Sequence, residues 1–181
     1  MNGSVEHKLH EVVADCIRKC GLSNCEILFD PACDGGQNIP LFKTEDKSRA
    51  TRYSVVDILI IKNEKVKVII EIEESDVTPI RICGKFLASA LSKFYIHETK
   101  GNKKIKMDKS ITFIQICSTK GLSDSSSKQE QWDNLEDSIT GNISTTGKMK
   151  WKYRLIYGEA EDYKSYKCDE LIEIIKEALN R

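Results

Sequence analysis

VKVIIEIEES, residues 66–75, reads as a central strand that ends in a cluster of acids. Val66, Val68, Ile69, Ile70 and Ile72 are β-branched, as in a strand buried on both faces. Glu71, Glu73 and Glu74 close the run. Just upstream, SVVDILII, residues 54–61, is a second apolar run with one acid, Asp57, at its middle. A carboxylate enclosed by apolar side chains costs on the order of several kcal/mol unless a partner neutralises it, and a divalent cation is one such partner.

The polar turn Lys62-Asn63-Glu64-Lys65 between the two runs predicts a hairpin. Side chains alternate faces along a strand, so Lys67, Ile69, Glu71 and Glu73 share one face and Val66, Val68, Ile70 and Ile72 the other. Residues opposite one another in an antiparallel pair also share a face. Asp57 therefore joins Glu71 and Glu73 only in an even register, such as Asp57 opposite Glu71; a slip of one residue turns it away. Glu74 points to the other side.

Working outward, Val5–Cys20 reads as a helix, with Val5, Leu9, Val12, Val13, Cys16, Ile17 and Cys20 at helical spacing and Gly21 as its stop. Cys25–Phe29 is a short strand. Residues 30–52, with Pro31, Gly35, Gly36 and Pro40, read as a long loop that is either functional or hides a strand near Ile39–Phe42. Pro79 opens the next helix behind Thr78 or Asp76 as cap, with Ile80, Gly84, Leu87, Leu91 and Tyr95 as its core stripe. A basic loop, Gly101–Lys109, precedes the buried strand Ile111–Cys117. A polar helix at Lys128–Ser138, a strand at Trp151–Tyr157 and an amphipathic helix at Cys168–Asn180 follow. The order α-β-β-β-α-β-α-β-α predicts an α/β sandwich around a mixed sheet, in one domain over residues 1–181.

Composition bounds the function classes. Lys+Arg and Asp+Glu both number 28, so the formal net charge is zero, which disfavours a generic basic nucleic-acid coat but allows a local basic patch. Charged residues at 31% and hydrophobic residues at 40% suit a globular protein. No secretory signal is expected in Met1–Gly21 and no apolar run is long enough to span a membrane, so a cytoplasmic protein is expected. The seven cysteines are odd in number and form no CxxC, which favours reduced, buried thiols over a zinc site.

Convergent carboxylates on a rigid sheet are hard oxygen ligands that suit Mg²⁺, which keeps several waters and needs only one or two protein carboxylates beside a substrate phosphate. The carbonyl of Ile72 can add a ligand. Such an ion stabilises charge on a phosphodiester and acidifies a bound water. The plainer alternative is a strand running out into solvent at Glu73 and Glu74.

With these residues in view, the chain resembles the PD-(D/E)XK, or restriction-endonuclease-like, nuclease superfamily. Asp57 falls at the motif's Asp, Glu71-Ile72-Glu73 at its (D/E)-x-K triplet, and the order of elements from Val5 to Cys117 follows the family's αβββαβ core. The resemblance implies a mixed sheet sandwiched by helices and hydrolysis of DNA phosphodiester bonds with Mg²⁺, for which Mn²⁺ can substitute. It also implies metal ligation by Asp57 and Glu71, and a homodimer in a restriction, repair or junction-cutting role. Two positions depart from the pattern. Val56 stands where the family name has Pro. Glu73 stands where the family usually has Lys, an E-x-E variant in which Glu73 serves as general base or as ligand to a second metal.

Alternatively the lysine comes from the next helix, where Lys85 and Arg81 lie four apart on one flank. Family members also bring a Glu from the first helix, and Glu6 is the position that lies within that helix's apolar arc, although the helix dipole alone favours an acid there. The missing motif lysine supports a second expectation, a catalytically inactive descendant that binds nucleic acid or protein.

Other features carry less. His7, His10 and Glu11 spell HxxHE, not the metalloprotease HExxH. Gly35-Gly36 is a turn without a following GK[ST]. Arg49 and Arg52, with Lys100, Lys103, Lys104 and Lys106, could clamp a DNA backbone or be solvated loop charge. Trp132 is expected in the core rather than stacked on a base.

Overall fold

The computed structural model describes residues 8–75, 77–123, 126–142 and 149–180. Its centre is β5 (Lys65–Glu73), in an 8-stranded mixed sheet. β1 (Glu26–Phe29) lies antiparallel to β4 (Ile58–Lys62), and β4 antiparallel to β5. Helix α2 (Pro79–Leu91) then leads to β7 (Lys103–Ser118), parallel to β5, and α3 (Lys128–Asn142) leads to β8 (Lys150–Gly158), parallel to β7. Helix α1 (Lys8–Lys19) precedes β1, and α4 (Tyr166–Leu179) follows β8. The succession α1-β1-β4-β5-α2-β7 is αβββαβ, with β2 (Ile39–Phe42) and β3 (Arg52–Val56) inserted before β4 and β6 (Phe94–His97) before β7. The expected hidden strand at Ile39–Phe42 is thus present.

Strand alternation sends side chains to two apolar layers. Ile70, Ile72, Ile114 and Ile116 pack under Val13 and Ile17 of α1 and Leu171 and Ile175 of α4. Ile69 and Phe113 pack under Phe86 of α2 and Trp132 of α3, and Trp132 is fully buried as expected. Helices therefore cover both faces of the sheet. Among the described residues no helix is long and apolar enough to cross a membrane.

Four expectations need correction. First, residues 54–61 are not one strand. The chain bends at Asp57, so that β3 pairs with β2 while β4 pairs with β1 and β5. β3 and β4 are consecutive in the chain yet stand last and second in the strand order. The sheet must therefore curl until its far edge returns to Asp57, wrapping Ile39, Leu41, Val56, Leu59, Tyr95 and Ile105 in one cluster. Second, the basic loop at 101–109 is largely strand. Lys103–Lys106 pairs antiparallel with β6, Ile105 and Met107 are buried, and Lys103, Lys104 and Lys106 face solvent. The period-two signal in KKIKM is masked by its charge.

Third, the core stripe of α2 is the opposite one. Ile82, Phe86 and Ser89 are buried, whereas Ile80, Leu87 and Leu91 are exposed and Tyr95 belongs to β6. The helix is apolar on both sides, and Phe86 decides its rotation by packing edge-on against Phe113, Trp151 and Tyr153 with ring centroids 5.4, 6.0 and 5.1 Å away. Thr78 is its cap, its hydroxyl accepting the Arg81 N–H at 3.4 Å, with Pro79 in the first turn; Asp76 lies outside the described residues. Fourth, the thiols are not all reduced, because Cys16 and Cys168 form a disulfide between α1 and α4.

Two measurements check these corrections. Phe86→Ala should cost about 3–5 kcal/mol in urea unfolding, while Leu87→Ala stays within about 0.5 kcal/mol; the reverse ranking would restore the other stripe. Cys16→Ser should lower stability by about 2–5 kcal/mol under oxidising conditions and by nothing beyond wild type in reductant.

Candidate active site

The β4–β5 register pairs Ile58 with Ile70, so Asp57, one residue earlier, is level with Glu71. This is the even register that the acids require to converge. Asp57 is fixed at its bend from two sides. Its Oδ2 accepts the Ile72 N–H at 2.6 Å, ending the β4–β5 ladder, and its carbonyl accepts the Asp30 N–H at 2.8 Å. Glu71 and Glu73 turn toward α2, whose rotation carries Lys85 and Arg81 to them. Lys85 Nζ lies 2.8 Å from Glu71 Oε2 and 2.8 Å from Glu73 Oε1. Arg81 Nε lies 3.2 Å from Glu73 Oε2, and its Nη1 donates to the Ser75 carbonyl at 3.2 Å.

Glu71 has no solvent exposure. Burial raises its carboxyl well above the usual range and the Asp57 charge adds to this, while Lys85 opposes both. Burial alone would depress the Lys85 ammonium, but Glu71 and Glu73 beside it hold it above its usual value. Among the described residues, Glu71 Oε1 has no hydrogen-bond partner. Nor has Nε2 of Gln115, the residue paired with Glu71 on β7, whose Oε1 accepts the Tyr153 hydroxyl at 2.9 Å. Gln115 was legible as the lone amide in the apolar run ITFIQIC.

The α1 side supplies two residues that sequence reasoning set aside. Glu74 does point away from Glu71, yet its Oε1 accepts the N–H groups of Leu9 and His10 at 2.5 and 3.1 Å, a remote cap on the start of α1. The buried His10 ring bridges the two acids, with Nδ1 3.2 Å from Glu74 Oε1 and Nε2 3.8 Å from Asp57 Oδ2. Its place beside Leu9 and Val13 on the apolar arc was the available signal. Glu6 lies outside the described residues.

These groups surround a cleft of about 500 Å³ lined by Asp57, Glu73, Glu74, Arg81, Lys85 and Lys120, among others. Glu71 sits beneath it rather than on its wall. Four predicted contacts are elsewhere. Lys103 pairs with Glu64 at 2.5 Å and Lys104 with Glu45 at 3.2 Å. They lie beyond Lys106, which pairs with Lys65, six residues or roughly 20 Å along β5 from Glu71. Arg52 pairs with Phe42, and Phe42 with Phe94, which pairs with Lys106, so Arg52 and the adjacent Arg49 share that far end. Lys103 and Lys104 are thus paired with acids, and all four residues lie away from Asp57 and Glu71.

No family model, curated protein or solved structure matches the chain. Among the described residues no three His, Cys, Asp or Glu side chains are already gathered as a metal site. The donor types nevertheless fit a hard divalent cation. Asp57 and Ile72 line the cleft, and the partnerless Glu71 oxygen lies beneath them.

The raised Glu71 carboxyl carries a sign. The folded protein retains a proton that the unfolded chain releases near pH 4.5, so stability falls as pH rises from there through the raised value. Metal-free Glu71→Gln should therefore gain on wild type in melting temperature as pH rises above about 4.5. A difference that is flat or shrinks with pH would show that Glu71 is not the source.

Proposed function

We propose that the cleft is the active site of a Mg²⁺-dependent nuclease of the PD-(D/E)XK type that hydrolyses DNA phosphodiester bonds. The observation that carries this reading is the pair of acids on one level of the sheet, Asp57 and Glu71, with the Lys85 ammonium 2.8 Å from both Glu71 and Glu73. A helix lysine thereby stands in for the lysine missing from the triplet. The αβββαβ succession around the acids supports it further.

In this reading Asp57, Glu71 and the Ile72 carbonyl hold the ion, Mg²⁺ or Mn²⁺. When bound, it supplies charge stabilisation at the scissile phosphate and acidifies water. Lys85, kept protonated by its two carboxylates, neutralises charge that develops on the phosphate oxygens. Glu73 accepts the proton of the attacking water, and Arg81 holds the phosphate. Asp57 also needs its structural bond to Ile72, so Asp57→Asn, which keeps an acceptor there, is a better probe than Asp57→Ala. His10 positions Asp57 against Glu74.

A second reading is a non-catalytic binding module. Favouring it, Glu71 is already paired with Lys85, and among the described residues no three-ligand set is assembled. Incubation with supercoiled plasmid, linear and single-stranded DNA in Mg²⁺ or Mn²⁺ separates the two. The nuclease reading expects nicking that chelator abolishes and that falls at least about 100-fold in Asp57→Asn, Glu71→Gln and Lys85→Met. Intact DNA in every condition with wild-type protein would leave the binding module.

A further inference from the structure

Three of the six large apolar side chains exposed among the described residues lie on one stripe of α2: Ile80 at 87%, Leu87 at 52% and Leu91 at 53%. With Gly84 they recur at i, i+4, i+7 and i+11, the alternating four-three spacing of a helix–helix seam. The stripe carries no charge, because the two cations of α2 are turned along its flank to Glu73 and Glu71. Gly84 has no reason to be glycine within one chain. Its helix is otherwise regular, a Cβ there would meet nothing within 4 Å, and glycine in a helix costs about 1 kcal/mol relative to alanine. A gap between large side chains on an exposed helix is a hole for another chain's knob.

We infer that the occupant is a second copy of this chain, docked α2 against α2 in antiparallel fashion about a two-fold axis. The spacing is symmetric about a point between residues 85 and 86. An axis there sets Ile80 against Leu91 of the second copy and Gly84 against its Leu87. Each copy thus inserts Leu87 into the other's glycine gap, which is the self-complementarity an isologous contact demands. The seam spans twelve residues, roughly 16 Å from first to last, a single helix face that is small beside the roughly 800 Å² per partner of a stable interface. A contact of that size fits a reversible dimer rather than a permanent one. The inference rests on the face of α2 and not on the nuclease reading.

Sedimentation velocity of the full chain from about 1 to about 200 µM tests it, with melting temperature as the control for folding. Wild type should pass from monomer to dimer. Leu87→Glu should abolish the dimer with an unchanged melting temperature. Gly84→Leu should also weaken it at least tenfold, although it adds apolar surface, because it fills the hole; a merely sticky patch would associate more strongly. A wild type monomeric throughout, a dimer indifferent to both substitutions, or a dimer strengthened by Gly84→Leu overturns the proposal. So does a monomer whose melting temperature falls in Leu87→Glu, since the chain itself would then cover the face.

Discussion

A carboxylate with no solvent exposure, Glu71, constrains this protein more than any other group. Its ionised form is costly in an apolar layer without a cation beside it, and Lys85 lies 2.8 Å away. The pairing helps set how α2 is rotated about its axis. With Lys85 and Arg81 turned to the acids and Phe86 turned to Phe113 and Tyr153, the stripe from Ile80 to Leu91 can only face outward. One buried carboxyl thus links the floor of the cleft, the packing of the helix above it and the apolar surface on the helix's far side.

Asp57 plays the complementary part. By accepting the Ile72 N–H it ends the β4–β5 ladder where the chain changes partners, and the curl of the sheet follows from that bend. The same carboxylate faces the cleft and approaches His10. The structural bond and the proposed metal contact would fall on one side chain, so loss of activity in a truncating variant alone would not separate them.

How much of this was legible depended on whether the signal was local. The parity argument for Asp57 and Glu71 needed only strand alternation, and the flank shared by Arg81 and Lys85 only the helical period; both are seen. The stripe of α2 was misread because two apolar stripes compete on that helix, and the choice rests on aromatic partners more than twenty residues away. The break at Asp57 reads as an acid within one continuous strand, since the apolar residues on either side carry no mark of a change of strand partner. Glu74 and His10 act across 64 residues of sequence, beyond any periodicity. The basic residues around 103 and 52 were assigned by charge alone, which does not show that Lys103 and Lys104 pair with Glu64 and Glu45 or that all of them sit at the far end of the sheet from Glu71.

The central claim is that Glu71 is shared between Lys85 and a divalent cation. Isothermal titration of Mg²⁺ and of Mn²⁺ into wild-type protein and Glu71→Gln measures this without reference to any substrate. The account predicts saturable binding to wild type that is lost in the variant while the fold persists. Binding of equal strength in both, or none to either, would contradict it.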